Sequence, residues 1–218
     1  MSMTSLGDAE RMDRHYRYQR YIYDATRTHY LLGRRHLISD LTPLKGDKVL
    51  EIGCGTAWNL VRVAKMYPHA GVVGLDVSSA MLATAETSLK RKGLEKRVVL
   101  AQGDATSFDA QAAFGQATFE RIFFSYALSM IPAWREALAH CVRFLPRGGS
   151  LHIVDFGQCG QLPGLFRRAL FAFLKHYTVT PRADLEDEIR KVAAANGLTY
   201  TFEKLHRGYT DYAVLRKP

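Results

Sequence analysis

A chain of 218 residues, 47% apolar and 23% charged, carries enough material for one large domain with a buried core, which excludes wholesale disorder. Thirty lysines and arginines against 21 acids give a formal charge of +9, favouring a polyanionic partner, nucleic acid or an anionic membrane surface, without choosing between them. Cys54, Cys141 and Cys159 lack metal or disulfide spacing, and no apolar run approaches the roughly 20 residues of a membrane span or forms a signal peptide, so reduced thiols in a cytoplasmic protein are expected.

Residues 10–38 read as helical and are crowded with tyrosine and arginine; with the loop around Pro43 and Gly46 they are expected to form a lid over residues 1–47. The pattern then changes. Short apolar runs at 49–52, 71–75, 98–101, 120–126 and 150–156 alternate with amphipathic stretches at 56–67, 78–92 and 132–144. Pro68 and Gly93 supply two of the stops. A helix at 183–195 ends at Asn196-Gly197, and strands at 198–203 and 209–215 close the chain. Apolar strands alternating with helices predict an α/β fold: a mostly parallel sheet over residues 48–218, covered on both faces. Ligands in such sheets bind beyond the carboxyl ends of the strands, so chemistry is sought there.

Three strand ends carry it. The first strand runs into Glu51-Ile52-Gly53-Cys54-Gly55-Thr56-Ala57, where glycines let a ligand lie against the backbone. The same junction serves dinucleotides, but Glu51 two residues before the first glycine would repel a phosphate and instead suits an ammonium group. Asp76 ends the second strand, at the distance where an acid takes both ribose hydroxyls. Asp104, in Gly103-Asp104-Ala105, follows the third and can accept from an exocyclic adenine amine. Asp76 and Asp104 each have a plainer reading as a helix cap. Together, ammonium, ribose and adenine describe S-adenosylmethionine.

These three motifs in this order resemble the class I S-adenosylmethionine-dependent methyltransferases over about residues 48–156. The resemblance implies a Rossmann-like fold with a seven-stranded sheet. It also implies cofactor contacts from Glu51, Gly53, Gly55, Asp76, Val77, Met81, Asp104, Ala105 and Ser125. Ala57 stands where that family carries a third glycine.

The acceptor is read from the rest of the chain. Tyr16, Tyr23, Arg27, Tyr30 and Arg34 recur at three-, four- and seven-residue steps, so one helical face carries much of the set. Tyrosine faces attract a quaternary ammonium and guanidinium grips a carboxylate at two points; a lid helix packed on the core is the plainer reading. With Phe123–Pro132 after the fourth strand and Arg207-Gly208-Tyr209 near the end, this stretch is similar to the bacterial betaine-lipid N-methyltransferases. That resemblance implies three N-methylations of diacylglyceryl-homoserine, with Tyr23, Tyr30 and Tyr126 at the reacting centre and Tyr16, Arg27 and Arg34 holding substrate. A phosphatidylethanolamine, quinone or polyamine methyltransferase is the alternative, and an inactive cofactor-binding, membrane-docking module the non-enzymatic one.

Residues 161–182 contain no acid, and Leu162, Leu165, Phe166, Leu170, Phe171, Phe173 and Leu174 interleave with Arg167, Arg168, Lys175 and Arg182. This composition suits an interfacial helix on anionic lipid, on the inner face of the cytoplasmic membrane; a core helix or dimer contact suits it equally. No RNA-binding module is recognised, so nucleic acid is not expected as the partner.

Overall fold

The computed structural model describes residues 30–218. Five apolar runs form parallel strands: β1 (Lys48–Ile52), β2 (Gly71–Asp76), β3 (Val98–Gln102), β4 (Arg121–Ser125) and β5 (Ser150–Phe156). Two more, β6 (Thr199–Leu205) and β7 (Thr210–Arg216), complete a seven-stranded sheet of order β3-β2-β1-β4-β5-β7-β6. β7 runs antiparallel between β5 and β6. The strand order reverses between β1 and β4, which pair directly from Val49–Arg121 to Ile52–Phe124. That reversal opens the crevice where ligands of such sheets lie.

Alternation along the strands splits the core in two. Val49, Val72, Phe123, Val154 and Val214 face one layer; Leu50, Ile52, Ile122, Phe124 and Ile153 face the other. The first layer is covered by α1 (Arg34–Asp40), α2 (Trp58–Met66) and α3 (Ser79–Arg91). The second is covered by α4 (Ala110–Phe114), α5 (Trp134–Val142) and α7 (Leu185–Asn196). A further helix, α6 (Gly164–His176), lies on the first layer's side and buries little beyond Leu174. Phe119, Phe123 and Phe124 are fully enclosed, each worth about 1.5–3 kcal/mol of burial.

The helix expected over residues 10–38 is corrected where it can be seen. Tyr30 is followed by a turn, and α1 starts only at Arg34, after Gly33 at φ +80°. The turn has a packing cause: a Cβ on Gly33 would stand 3.0 Å from Val154 and 3.1 Å from Thr210, so the chain bends to lie against β5 and β7. Tyr30 and Arg34 therefore do not share one helical face. The short α4 was not legible beforehand; Asp109 caps it by accepting from the amides of Gln111 and Ala112, and Gly115 at φ +69° ends it.

Candidate functional site

Three residues within five of each other after β1 sit in the left-handed region: Gly53 (φ +70°), Gly55 (φ +53°) and Ala57 (φ +65°). Their turn is stitched to the end of β2, because the amides of Gly53 and Cys54 both donate to the Leu75 carbonyl, at 2.8 and 3.0 Å. The two glycines have different duties. A Cβ on Gly53 would come within 2.8 Å of the Ala127 methyl, so its absence lets the turn pack on the loop after β4. A Cβ on Gly55 would meet nothing within 4 Å and would project into open space over the sheet end.

Side chains from neighbouring elements hold this turn. Buried Glu51 accepts from Asn59 Nδ2 at 2.6 Å, tying β1 to the first turn of α2. Asp76 Oδ2 accepts from the Gly55 amide at 2.7 Å, and Oδ1 from the Ser78 amide at 3.0 Å. Ser78 then caps α3 through the Met81 amide. Asp76 is thus both a turn anchor and a neighbour of the Gly55 ledge, while the cap of α3 is Ser78, not Asp76. Val77 is half-buried and Met81 buried beside it. Burial, Asp76 and Glu51, in that order, push the Cys54 thiol well above its ordinary pKa, so it stays a protonated packing group against Leu60 and Gly74.

Asp104 joins the same rim. The Gly103 amide donates to the Asp76 carbonyl at 3.0 Å, which brings the ends of β2 and β3 together. Asp104 is exposed, and its Oδ1 accepts from both the amide and the hydroxyl of Thr106 at 2.8 Å, organising a turn rather than capping a helix. Ala105 stands half-buried next to it. Across the crevice, Ser125 ends β4 with a buried hydroxyl that has no hydrogen-bond partner among the described residues. A polar ligand at this point would satisfy it.

The crevice thus has an open glycine ledge, the accessible carboxylates of Asp76 and Asp104 at successive strand ends, the buried carboxylate of Glu51 on β1 and an orphaned hydroxyl on β4. A nucleoside with a cationic tail fits this donor set, and the acid-rich rim disfavours a pyrophosphate. Glu51, Gly53, Gly55, Asp76, Val77, Met81, Asp104, Ala105 and Ser125, the residues that the resemblance names as cofactor contacts, lie on or shortly after the ends of β1 to β4.

Tyr126, the residue after Ser125, helps to wall a small cavity on the side of α6, together with Tyr30, Met130, Phe156, Phe173 and Tyr177. Its rings brace one another: Tyr126 meets Phe156 edge-on at 4.6 Å, and Tyr30 meets Phe173 edge-on at 6.1 Å. Tyr126 itself is in a left-handed turn (φ +57°) directly after β4. Its hydroxyl donates to the Leu32 carbonyl at 2.6 Å and lies 3.0 Å from Thr210 Oγ1. Burial raises its pKa well above that of a free phenol. Tyr126 therefore offers a ring to the cavity, and its bound, protonated hydroxyl is no acceptor for a proton from substrate. Tyr30 contributes a wall of the same cavity.

Arg34, expected to grip substrate, is buried with its guanidinium 3.7 Å above the Trp58 ring and its Nε donating to the Leu31 carbonyl. Arg62 also lies over this indole, 3.0 Å from its centroid. Arg34 thus braces the entry to α2 rather than presenting a free fork. Tyr16, Tyr23 and Arg27 lie outside the described residues.

Sequence reading missed the lock on the loop after β4. Asp155, fully buried in β5, accepts from the Ser129 amide at 3.0 Å and from Phe156 at 2.8 Å. Arg182 donates to the carbonyls of Leu128 (3.1 Å) and Ile131 (2.8 Å), and the Thr180 amide to that of Ser129 (2.9 Å). Burial raises the Asp155 pKa, and the Ser129 and Phe156 bonds and nearby Arg182 pull it back down. The available signal was a carboxylate near the end of a mostly apolar strand, SLHIVDF.

Comparison with known proteins agrees with this geometry. Residues 49–149 match the model of a methyltransferase domain family. The chain is 28% identical over 144 residues to a demethylmenaquinone methyltransferase of Anoxybacillus flavithermus, a match covering 66% of this chain and 58% of that protein. Among solved structures it resembles the YcgJ protein of Bacillus subtilis (TM-score 0.64, 16% identity, 85% of this chain and 98% of that one). It also resembles phosphoethanolamine N-methyltransferase 2 of Haemonchus contortus in complex with S-adenosyl-L-methionine (TM-score 0.67, 18% identity, 85% of this chain and 52% of that one). Over residues 49–149 the chain is thus similar to methyltransferase domains and shares their seven-stranded fold, and the cofactor that this fold and crevice fit is S-adenosylmethionine.

Proposed function

We propose that the protein is an N-methyltransferase that converts the amine of diacylglyceryl-homoserine, in three transfers, to the trimethylated betaine lipid. The observation that carries this reading is the ring-walled cavity that Tyr126 enters directly after Ser125 at the end of β4. Bound S-adenosylmethionine supplies a methyl group already activated on a sulfonium, which leaves the chain the tasks of placement and water exclusion. Glu51, Asp76, Asp104 and Ser125 would hold the donor side. Tyr30, Tyr126, Phe156, Phe173 and Tyr177 form the acceptor side.

A dry aromatic cavity disfavours an ammonium ion relative to the free amine, so desolvation delivers the nucleophile in its neutral form. Because the Tyr126 hydroxyl is committed to Leu32 and Thr210, the amine proton goes to water at the cavity mouth. Each methyl added makes the nitrogen a better match to ring faces, whose quadrupoles favour a cation that cannot be hydrated. Tyr16, Tyr23 and Arg27 complete the acceptor set by resemblance alone, which gives Arg27 the role of holding the homoserine carboxylate.

A second reading has its own support: a flat cavity of rings also suits a naphthoquinone, and the relative from Anoxybacillus is named for that acceptor. Labelled S-adenosylmethionine offered with diacylglyceryl-homoserine, phosphatidylethanolamine or a demethylated naphthoquinone separates the readings. Successive mono-, di- and trimethyl-homoserine lipid is the expected product series. Transfer to phosphatidylethanolamine alone or to the quinone alone overturns the homoserine assignment. Tight cofactor binding without transfer to any of the three identifies an inactive binding module.

A further inference from the structure

We infer that α6 is a docking helix that seats the protein on an anionic membrane surface. A helix on a globular surface turns its polar side to water. α6 does the reverse. Of its 13 residues only Leu174 is buried, and among the exposed ones are Leu165 (81% accessible), Phe166 (47%) and Phe173 (44%). Leu165, Phe166, Ala169, Ala172 and Phe173 fall within an arc of about 120° on the side away from Leu174. Arg168 and Lys175 border this arc, and no acid occurs anywhere from residue 161 to residue 183. Apolar side chains flanked by cations are the composition that inserts a helix to the depth of lipid headgroups. No helix among the described residues is long and apolar enough to cross a membrane, so the contact is one of lying on the surface.

Charge selects this occupant over two others. A second copy docking face to face would set Arg168 and Lys175 against their own counterparts. Residues 1–29 carry five arginines and four acids, with no negative excess to answer the basic border. Anionic lipid supplies both an apolar layer and the opposite sign.

The placement also has a consequence for the acceptor, which rests on the lipid reading above. Phe173 and Leu174 of α6 and Tyr177 just beyond it line the ring-walled cavity. A headgroup at the bilayer surface is then one helix thickness from the cavity, and its acyl chains need not leave the membrane.

The test is co-sedimentation of the full chain, without cofactor or acceptor, with vesicles of phosphatidylcholine alone or mixed with phosphatidylglycerol. The wild-type chain is expected to bind the mixed vesicles and to be released by salt. Leu165→Glu with Phe166→Glu should lower partitioning about tenfold or more, and Arg168→Gln with Lys175→Gln should abolish the preference for the anionic vesicles. Unchanged calorimetric binding of S-adenosylhomocysteine shows that the variants are folded, and Leu165→Ser with Phe166→Ser serves if the glutamates are not tolerated. Wild-type binding no stronger to anionic than to neutral vesicles overturns the proposal. So does equal binding by all variants, or a change from dimer to monomer when residues 165 and 166 are altered. Because no methyl transfer is measured, a failure here leaves the homoserine-lipid reading standing, and the acceptor assay can fail while docking holds.

Discussion

Asp76 does two things that a ribose-binding acid need not do: it fixes the Gly55 amide through one oxygen and the entry to α3 through the other. Removing it loosens both the ledge and the entry to α3. Asp76→Ala is therefore expected to weaken S-adenosylmethionine binding by about 1.5–3 kcal/mol, the cost of losing hydrogen bonds to a charged group. Asp76→Asn, which keeps one acceptor oxygen, should lose less. Calorimetry that finds the alanine variant binding as tightly as the parent removes Asp76 from the cofactor site. Ala57 shows the opposite economy. Its left-handed conformation costs roughly 1–2 kcal/mol, yet its methyl is fully buried in the core beside α2. Burial of that methyl and the smaller conformational freedom of alanine in the unfolded chain offset most of the strain. An alanine can therefore stand where the family carries glycine without opening the turn.

The loop after β4 is held by charge-assisted bonds from Asp155 and Arg182 in addition to neutral backbone bonds and the burial of Tyr126, Ala127 and Leu128. It supplies Tyr126 and Met130 to the ring-walled cavity and Ala127 to the back of Gly53, so its position couples that cavity to the glycine turn. Arg182→Met strips two donors from the carbonyls of Leu128 and Ile131; because the site is only partly buried, water recovers some of the loss, and about 1.5–3 kcal/mol of stability should go. Turnover of acceptor should fall by more than cofactor affinity does. Arg182→Lys should not restore it, since a single ammonium cannot reach two carbonyls as the guanidinium fork does. A variant in which cofactor affinity falls and acceptor kinetics hold would assign Arg182 to the wrong side of the crevice. This lock was not legible in the sequence for a physical reason. Strands β1 to β5 and the glycine turn are local patterns, so their runs and the acids at their ends can be read in order. The lock joins Asp155 to Ser129 across 26 residues and Arg182 to Leu128 across 54, and Tyr126 reaches Leu32 across 94. The bend at Gly33 is of the same kind: its cause is the close approach of Val154 and Thr210, which helical periodicity cannot register.

At the scale of the whole molecule, two buried titratable groups on β5 and β7 pull stability in opposite directions with pH. His152 sits under α1 with Ser150 Oγ at 2.9 Å from its Nε2 and the Tyr212 hydroxyl at 3.1 Å from its Nδ1. Tyr212 in turn donates to Asp40 at 2.6 Å, so α1 is fastened to both strands through the neutral imidazole. Burial lowers its pKa to about 3; Asp40 works against this, while Arg216, Arg121 and His36 add to it. The fold therefore favours neutral His152, and that contribution is complete above the unfolded value near 6.5 and shrinks as pH falls from there toward 3. Asp211 faces Asp155 directly across the β5–β7 ladder. Burial raises its pKa to about 6, with Asp155 and Glu186 pushing the same way and Lys204 opposing. Its contribution is complete below the unfolded carboxylate value and is lost as pH rises through about 6. Between about pH 4 and 6 the two slopes oppose, and substitution separates them. Relative to His152→Gln, the wild-type chain should lose stability steadily as pH is lowered from 6.5 to 4, by at most about 1.4 kcal/mol per unit. Relative to Asp211→Asn it should lose stability as pH is raised over the same interval. Denaturant midpoints measured along this series decide the matter: parallel profiles for parent and His152→Gln would mean that the imidazole takes up its proton as readily in the fold as in the unfolded chain, and the fastening of α1 through Tyr212 and Asp40 would have to be redrawn.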